Sequence, residues 1–202
     1  SLDTGTKLAS ATGIRTAMAN KDNISGLLPD NCLNIIKNHT TIEYNDFSTV
    51  LGSKLLSMDT LDHIEGINQD LSNRIANNKY NFTDIETFIP MLQSKNYTYS
   101  AISRALLHII LDIKTDDIKE FVNNNYAMIL GFTKKSGVLS EISKSTKIPL
   151  VSKFATFYKE ADNNQRKMLD INLKADNLYR MIYMNKTGET LPTEFQRQII
   201  IF

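Results

Sequence analysis

The stretch from Tyr97 to Leu111, near the middle of the chain, constrains the fold more than any other. Apolar side chains at Ile102, Ala105, Leu106, Ile109, Ile110 and Ile113 follow the i, i+3, i+4, i+7, i+8 spacing of a buried helical face. Leu107 and Leu111 widen that stripe until little of the circumference stays polar. A helix of this kind has to be enclosed by other elements, so the pattern predicts the central core helix of an α-rich domain. Thr98 and Ser100 offer hydroxyls where the helix needs an N-cap. Arg104 and His108, four residues apart, share the remaining polar side.

Further helices are predicted on both sides. Ser10 or Thr12 caps a helix whose inward stripe is Ile14, Ala17 and Met18, and a short second helix follows over roughly 31–37. Phe47, Val50, Leu51, Leu55 and Leu56 mark an amphipathic helix running from Tyr44 to near Met58. Ile64 to Ala76 places Ile67, Leu71 and Ile75 on one face with Arg74 beside them. Thr83-Asp84-Ile85-Glu86 is a capping box opening a helix to Ser94, in which Pro90 predicts a kink. Past a short helix over 116–124 the texture changes. Tyr126 to Phe132 reads as one buried strand and Ile148 to Val151 as another. Between them lies a helix from Lys134 to Ser145 with Val138, Leu139 and Ile142 inside. Residues 153–162 fit no single pattern, and Arg166 to Met184 is a long helix. The apolar tail Ile199-Ile200-Ile201-Phe202 is expected to be sheltered from solvent. The fold class expected is therefore mainly α, of the α+β kind: a multi-helix domain with a small parallel β-α-β insert near residues 126–151, its crossover right-handed.

Several function classes are excluded at this stage. No apolar run approaches the roughly eighteen residues of a membrane span. The lone Cys32 allows no internal disulfide and suits a reducing compartment, so the cytoplasm is the expected location. His39, His63 and His108 are far apart and show no metal-ligand spacing. No Walker loop, GxGxxG or GxSxG is present, and no catalytic residue is expected within this chain.

Two features carry binding chemistry. In Ser10-Ala11-Thr12-Gly13-Ile14-Arg15 a helix N-terminus offers free N–H groups, two hydroxyls and a guanidinium one turn in, all suited to phosphate. An ordinary capped helix has the same look. The second feature is charge. The formal net charge is +1, yet residues 133–186 hold eleven basic against five acidic side chains. Lys134, Lys135, Lys144, Lys147, Lys153, Lys159, Arg166 and Lys167 fall there, with Tyr158, Tyr179 and Tyr183 among them. Such a set can neutralise phosphates and stack on unpaired bases, or it can be a plain solvated face.

Taken together, these residues resemble a known family. Ser-Ala-Thr-Gly-Ile-Arg at 10–15 is similar to the Ser-x-Thr-x-x-Arg motif, the second ATP-contacting signature of the HIGH-type nucleotidyltransferase superfamily. Further stretches follow the chain order of the bacterial tRNA(Met) cytidine acetate ligases. They run through Tyr44 to Leu56, Glu65-Gly66 to Arg74-Ile75, Tyr97-Thr98 to Leu107 and Leu130-Gly131-Phe132, then Ile148 to Lys153 and Asp170 to Tyr179. The Gly-rich strand-loop and the HxGH-type motif of that family are not in the sequence, so the resemblance is to a C-terminal portion beginning just before the second ATP motif.

The resemblance implies an enzyme that joins acetate and ATP, with Mg2+, into acetyl-adenylate and acetylates N4 of the wobble cytidine of elongator tRNA(Met). It implies that Ser10, Thr12 and Arg15 contact ATP, and that Arg74, Arg104, Lys134, Lys135, Lys144, Lys147, Lys153, Arg166 and Lys167 hold tRNA. Residues 1–22 would close the nucleotidyltransferase domain and 23–202 would form the helical tRNA-binding domain, inactive in adenylation by itself. A small-cofactor nucleotidyltransferase and a non-catalytic interaction domain are the alternatives.

Overall fold

The computed structural model describes residues 10–38, 40–121, 125–134 and 137–202. The chain divides into two compact units after Thr41.

Among its described residues the first unit holds two helices. In α1 (Ala11–Ala19) the cap is Ser10, whose Oγ accepts from the Gly13 amide at 3.0 Å while its carbonyl accepts from Ile14. α2 (Asp30–Asn38) starts directly after Pro29, whose carbonyl accepts the first two helical bonds, from Cys32 and Leu33. Among the described residues of this unit Leu33 is the buried one.

The second unit is built around four helices: α3 (Ser48–Ser57), α4 (Gln69–Asn78), α5 (Ile85–Leu92) and α6 (Tyr99–Leu111). The expected helix from Tyr44 begins as one 3₁₀ turn, Tyr44–Phe47, before α3 takes over. Their apolar faces close on one core of Leu51, Leu55, Leu71, Ile75, Phe88, Ile89 and the α6 stripe. Ile102, Leu106 and Ile109 are fully enclosed and Ala105 nearly so, as the spacing requires. Ser48 is the only polar residue buried among those described; its Oγ accepts from the Ile85 amide at 3.1 Å, and Asn45 Oδ1 accepts from Glu86. The free amides at the start of α5 are thus met partly from a distant segment, which fixes α5 against α3. Pro90 lies inside α5.

Two local readings change. The helix expected from Ile64 starts only at Gln69, capped by Asn68. Residues 63–65 instead pair with 113–115: Glu65 N donates to Ile113 O and Thr115 N to His63 O. Gly66, at a φ of +79°, turns the chain out of that pairing. The second change is on α6, where Arg104 and His108 do not share an exposed side. Arg104 is exposed, whereas His108 is half-buried with Nδ1 2.8 Å from the Glu65 carbonyl. A carbonyl only accepts, so Nδ1 carries the proton.

Beyond α7 (Thr115–Phe121) the expected parallel crossover is present, in shorter pieces. β1 (Ala127–Met128) pairs in parallel with β3 (Leu150–Val151), and α8 (Val138–Ser145) lies between them in sequence. The run Tyr126 to Phe132 is not one strand. β2 (Gly131–Phe132) leaves the first sheet and pairs in parallel with β4 (Ile200–Ile201). Val138 and Ile142 on α8 are exposed rather than inside, because two-residue strands offer too little sheet to cover a helix face. The ambiguous stretch contains α9 (Phe154–Glu160).

The last helix, α10 (Asn163–Thr187), opens with a reciprocal capping box between Asp162 and Gln165. It packs on α6 and α7, where Lys174 Nζ donates to the Leu111 carbonyl at the end of α6. Burial, with Lys54 and Lys114 nearby, holds the Lys174 ammonium below the ordinary lysine range. The tail is paired through its backbone only: Ile200, Ile201 and Phe202 keep their side chains mostly in solvent, against expectation. Main-chain pairing at a sheet edge satisfies N–H and C=O groups without enclosing side chains. Among the described residues no helix is long and apolar enough to cross a membrane.

Candidate functional site

The N-terminal motif folds as a short helix start. Ser10, Thr12 and Arg15 are all exposed, and the first turn of α1 carries no acidic side chain. Gly13 lets the cap close: a Cβ there would stand 3.3 Å from Ser10 Oγ. Ser10 Oγ accepts from the backbone, so its proton stays free to donate outward. Thr12 and Arg15 are three apart and share one side of the helix. The donor set therefore fits a phosphate group. Among the described residues of this turn no carboxylate stands with it to hold Mg2+, so a metal ion would come with the nucleotide.

The basic set is spread over the insert and the start of α10. Lys134 follows β2, Lys144 is on α8 and Lys147 is in the loop after it. Lys153 is the N-cap residue of α9, and Arg166 and Lys167 lie in the first turns of α10. All six are exposed. Lys135 lies outside the described residues. Lys159 and Arg166 meet, with Arg166 Nη2 donating to the Lys159 carbonyl at 2.9 Å and the guanidinium 6.0 Å from the centre of the Tyr158 ring. Arg74 and Arg104 belong to the helical core instead. Arg74 is paired with Asp70 at 3.2 Å, and Arg104 projects from the first half of α6.

The three tyrosines fare differently. Tyr179 is exposed. Tyr158 is half-buried against Phe154 and Phe195 and donates to Asp170 Oδ1 at 2.6 Å, a bond that, with burial, raises its phenol above the ordinary range. Tyr183 is buried and bonded to Glu189, so it offers no face for stacking. It sits on the inner stripe of α10, which the period alone did not separate from its neighbours. Among the described residues no group of three or more His, Cys, Asp or Glu side chains could hold a metal ion.

Sequence reasoning missed one feature. A cavity of about 220 Å³ opens between β1, α9, α10 and the segment before β4, with Asp176, Glu194 and Arg197 at its polar end. Only the fold brings these stretches together, and no local spacing announces them.

Residues 1–193 match the profile of the HIGH Nucleotidyl Transferase family. The chain belongs to that family. Relatives include the tRNA(Met) cytidine acetate ligase of Thermoanaerobacter sp. (strain X514), 29% identical over 195 residues, with 93% of this chain and 48% of that protein covered. The protein of the same name from Caldanaerobacter subterraneus subsp. tengcongensis is 31% identical over 187 residues, covering 89% of this chain and 46% of its own. The chain thus spans about half the length of the curated relatives it matches. In fold it is similar to Thermotoga maritima TmcAL in its apo form, with a TM-score of 0.82 at 21% identity over 100% of this chain and 53% of that one. The same protein bound with alpha-thio ATP gives a TM-score of 0.82 over 98% of this chain. The family resemblance read from the sequence is therefore borne out, as is the mainly α fold with small parallel strands.

Proposed function

We propose that this chain is the tRNA-binding half of a cytoplasmic ATP-dependent ligase that acetylates N4 of the wobble cytidine of elongator tRNA(Met) through acetyl-adenylate. The observation that carries the reading is family membership together with relatives named as tRNA(Met) cytidine acetate ligases over most of this chain. In this reading residues 1–22 complete the nucleotidyltransferase domain. Ser10, Thr12 and Arg15 hold ATP phosphates, and Arg15 offsets the charge that develops on the pyrophosphate side as the acetate carboxylate attacks the α-phosphate. That role is electrostatic; none of the three moves a proton. Mg2+ arrives on the nucleotide.

Residues 23–202 grip tRNA through Lys134, Lys135, Lys144, Lys147, Lys153, Arg166 and Lys167, with Arg74 and Arg104 extending the contact over the helical core. The charge of this region supports the reading: six lysine and arginine side chains of the set are exposed between Lys134 and Lys167. Phosphate contacts fix register and carry affinity, while base contacts add choice.

The chain alone is expected to bind elongator tRNA(Met) and to make no acetyl-adenylate. Titration with that tRNA and a control tRNA at two salt concentrations tests both halves of the reading. Binding that weakens steeply with salt supports it. Absence of binding at low salt, or adenylation by this chain unaided, would overturn it.

A further inference from the structure

The geometry points to the cavity between β1 and α10 as a pocket for one unpaired guanine base of an RNA. Its volume, about 220 Å³, is below the ~300 Å³ at which pockets for drug-sized ligands begin, so it suits a single planar ring system with its sugar and phosphate left outside. The inference rests on the RNA-binding reading above and names a base-specific site that the lysine contacts cannot supply.

Three observations choose the occupant. First, Tyr126, Met128, Leu130 and Leu173 supply the apolar part of a mixed lining, and Phe154 there is itself buried. The aromatic ones are held in place. Asn172 Nδ2 donates to the Tyr126 hydroxyl at 3.0 Å and Phe157 packs on the Tyr126 ring, while Phe154 meets the Phe195 ring edge-on at 5.2 Å. The half-buried Tyr126 ring is the preset aromatic face against which an unpaired base stacks.

Second, Asp176 Oδ2 is buried and has no hydrogen-bond partner, the only such side-chain atom among the described residues. A buried acceptor left without a donor is costly, so turning this carboxylate onto an incoming N–H is favoured. Third, an acceptor and a donor stand side by side. Arg197 reaches Asp176 Oδ1 at 3.8 Å and Glu194 at 3.2 Å, leaving one formal positive charge against two negative ones. That balance refuses a phosphate. It also matches the Watson–Crick edge of guanine, whose N1–H and N2–H donate to a carboxylate while O6 accepts from a guanidinium. Uracil offers one donor there, and cytosine and adenine present an unprotonated ring nitrogen beside the carboxylate.

Fluorescence anisotropy with U-rich RNA octamers tests this, the central base being guanine, inosine, adenine or uracil, in about 50 mM salt. The guanine octamer is expected to bind about tenfold tighter than the all-uracil one. Inosine, which lacks only the 2-amino donor, should lose most of that preference with no change to the protein. Asp176→Asn, its fold checked by far-UV circular dichroism, should bind all four octamers about equally and keep their salt dependence. Salt-sensitive binding without a guanine preference, or a guanine preference that Asp176→Asn leaves intact, overturns the pocket while the RNA-binding reading stands. If no octamer and no tRNA binds even at low salt, the RNA-binding reading has failed and the pocket falls with it.

Discussion

Asp46 joins two segments far apart in the chain. Its carboxylate accepts from the Glu43 amide at 2.6 Å and from Lys186 Nζ at 2.7 Å, so the last turn of α10 is tied to the 3₁₀ turn before α3. Burial acts to raise its proton affinity, but the Lys186 ammonium and the Glu43 amide outweigh it and hold the carboxyl below the ordinary range. The unfolded chain titrates near 4, so this pairing stabilises the fold above about pH 4 and is lost as pH falls through the lower folded value. Asp46→Asn is expected to cost about 1 kcal/mol at pH 7, with the gap to the parent protein narrowing in urea melts as the pH falls below about 4. Arg104 gives the opposite kind of test. It is exposed, and Arg104→Ala should leave the melting temperature within about 1–2 °C of the parent. A large drop would mean that its stem packs on the core. Residue type and position narrowed the caps to Ser10 or Thr12 and to Thr98 or Ser100, and the bonds formed pick out Ser10 and Thr98. The inward turn of His108 was not legible in that way, because its partner is a backbone carbonyl more than forty residues upstream.

Among elements, α6 was the most readable, because five buried positions repeat at one period over a single uninterrupted helix. Ala105, its smallest buried side chain, faces the Gly66 turn: a Cβ added to Gly66 would be 4.0 Å from that of Ala105. Ala105→Leu should therefore destabilise the unit by about 1–3 kcal/mol, read as a shifted urea midpoint at unchanged slope. Leu106→Ala, opening space at a fully enclosed site, should cost about 2–5 kcal/mol. The insert was less readable for a physical reason. A short apolar run such as Tyr126 to Phe132 has no period that says where one strand stops and another begins. Both strands in it are two residues long and pair with different partners, so the break at Ile129-Leu130 depends on pairing, which is not a local property.

For the whole molecule the charge asymmetry was visible as a count, but the count does not say which cations are engaged. Arg74 and Arg166 have protein partners, whereas Lys144 and Lys147 are exposed on and just after α8. Reversing the last two together, Lys144→Glu with Lys147→Glu, should weaken tRNA binding at least tenfold and lower the salt slope by about two units, with the melting temperature nearly unchanged. Unaltered affinity would put the nucleic acid on another face. The two parallel pairings also differ in reach. β1 waits only for α8 before β3 is available, but β2 waits for α8, α9 and the whole of α10 before β4 can meet it. At Gly131 the partner strand comes so near that a Cβ would stand 2.8 Å from the Ile200 carbonyl oxygen, so Gly131→Ala should release β4 selectively, seen as faster amide exchange at Ile200 and Phe202. On the ribosome, where residues emerge at roughly 5–20 per second, the four-helix core can close seconds before this edge is sealed. Until then Gly131 and Phe132 present an open strand to every nascent chain nearby, and the speed of translation past α10 sets how long that exposure lasts.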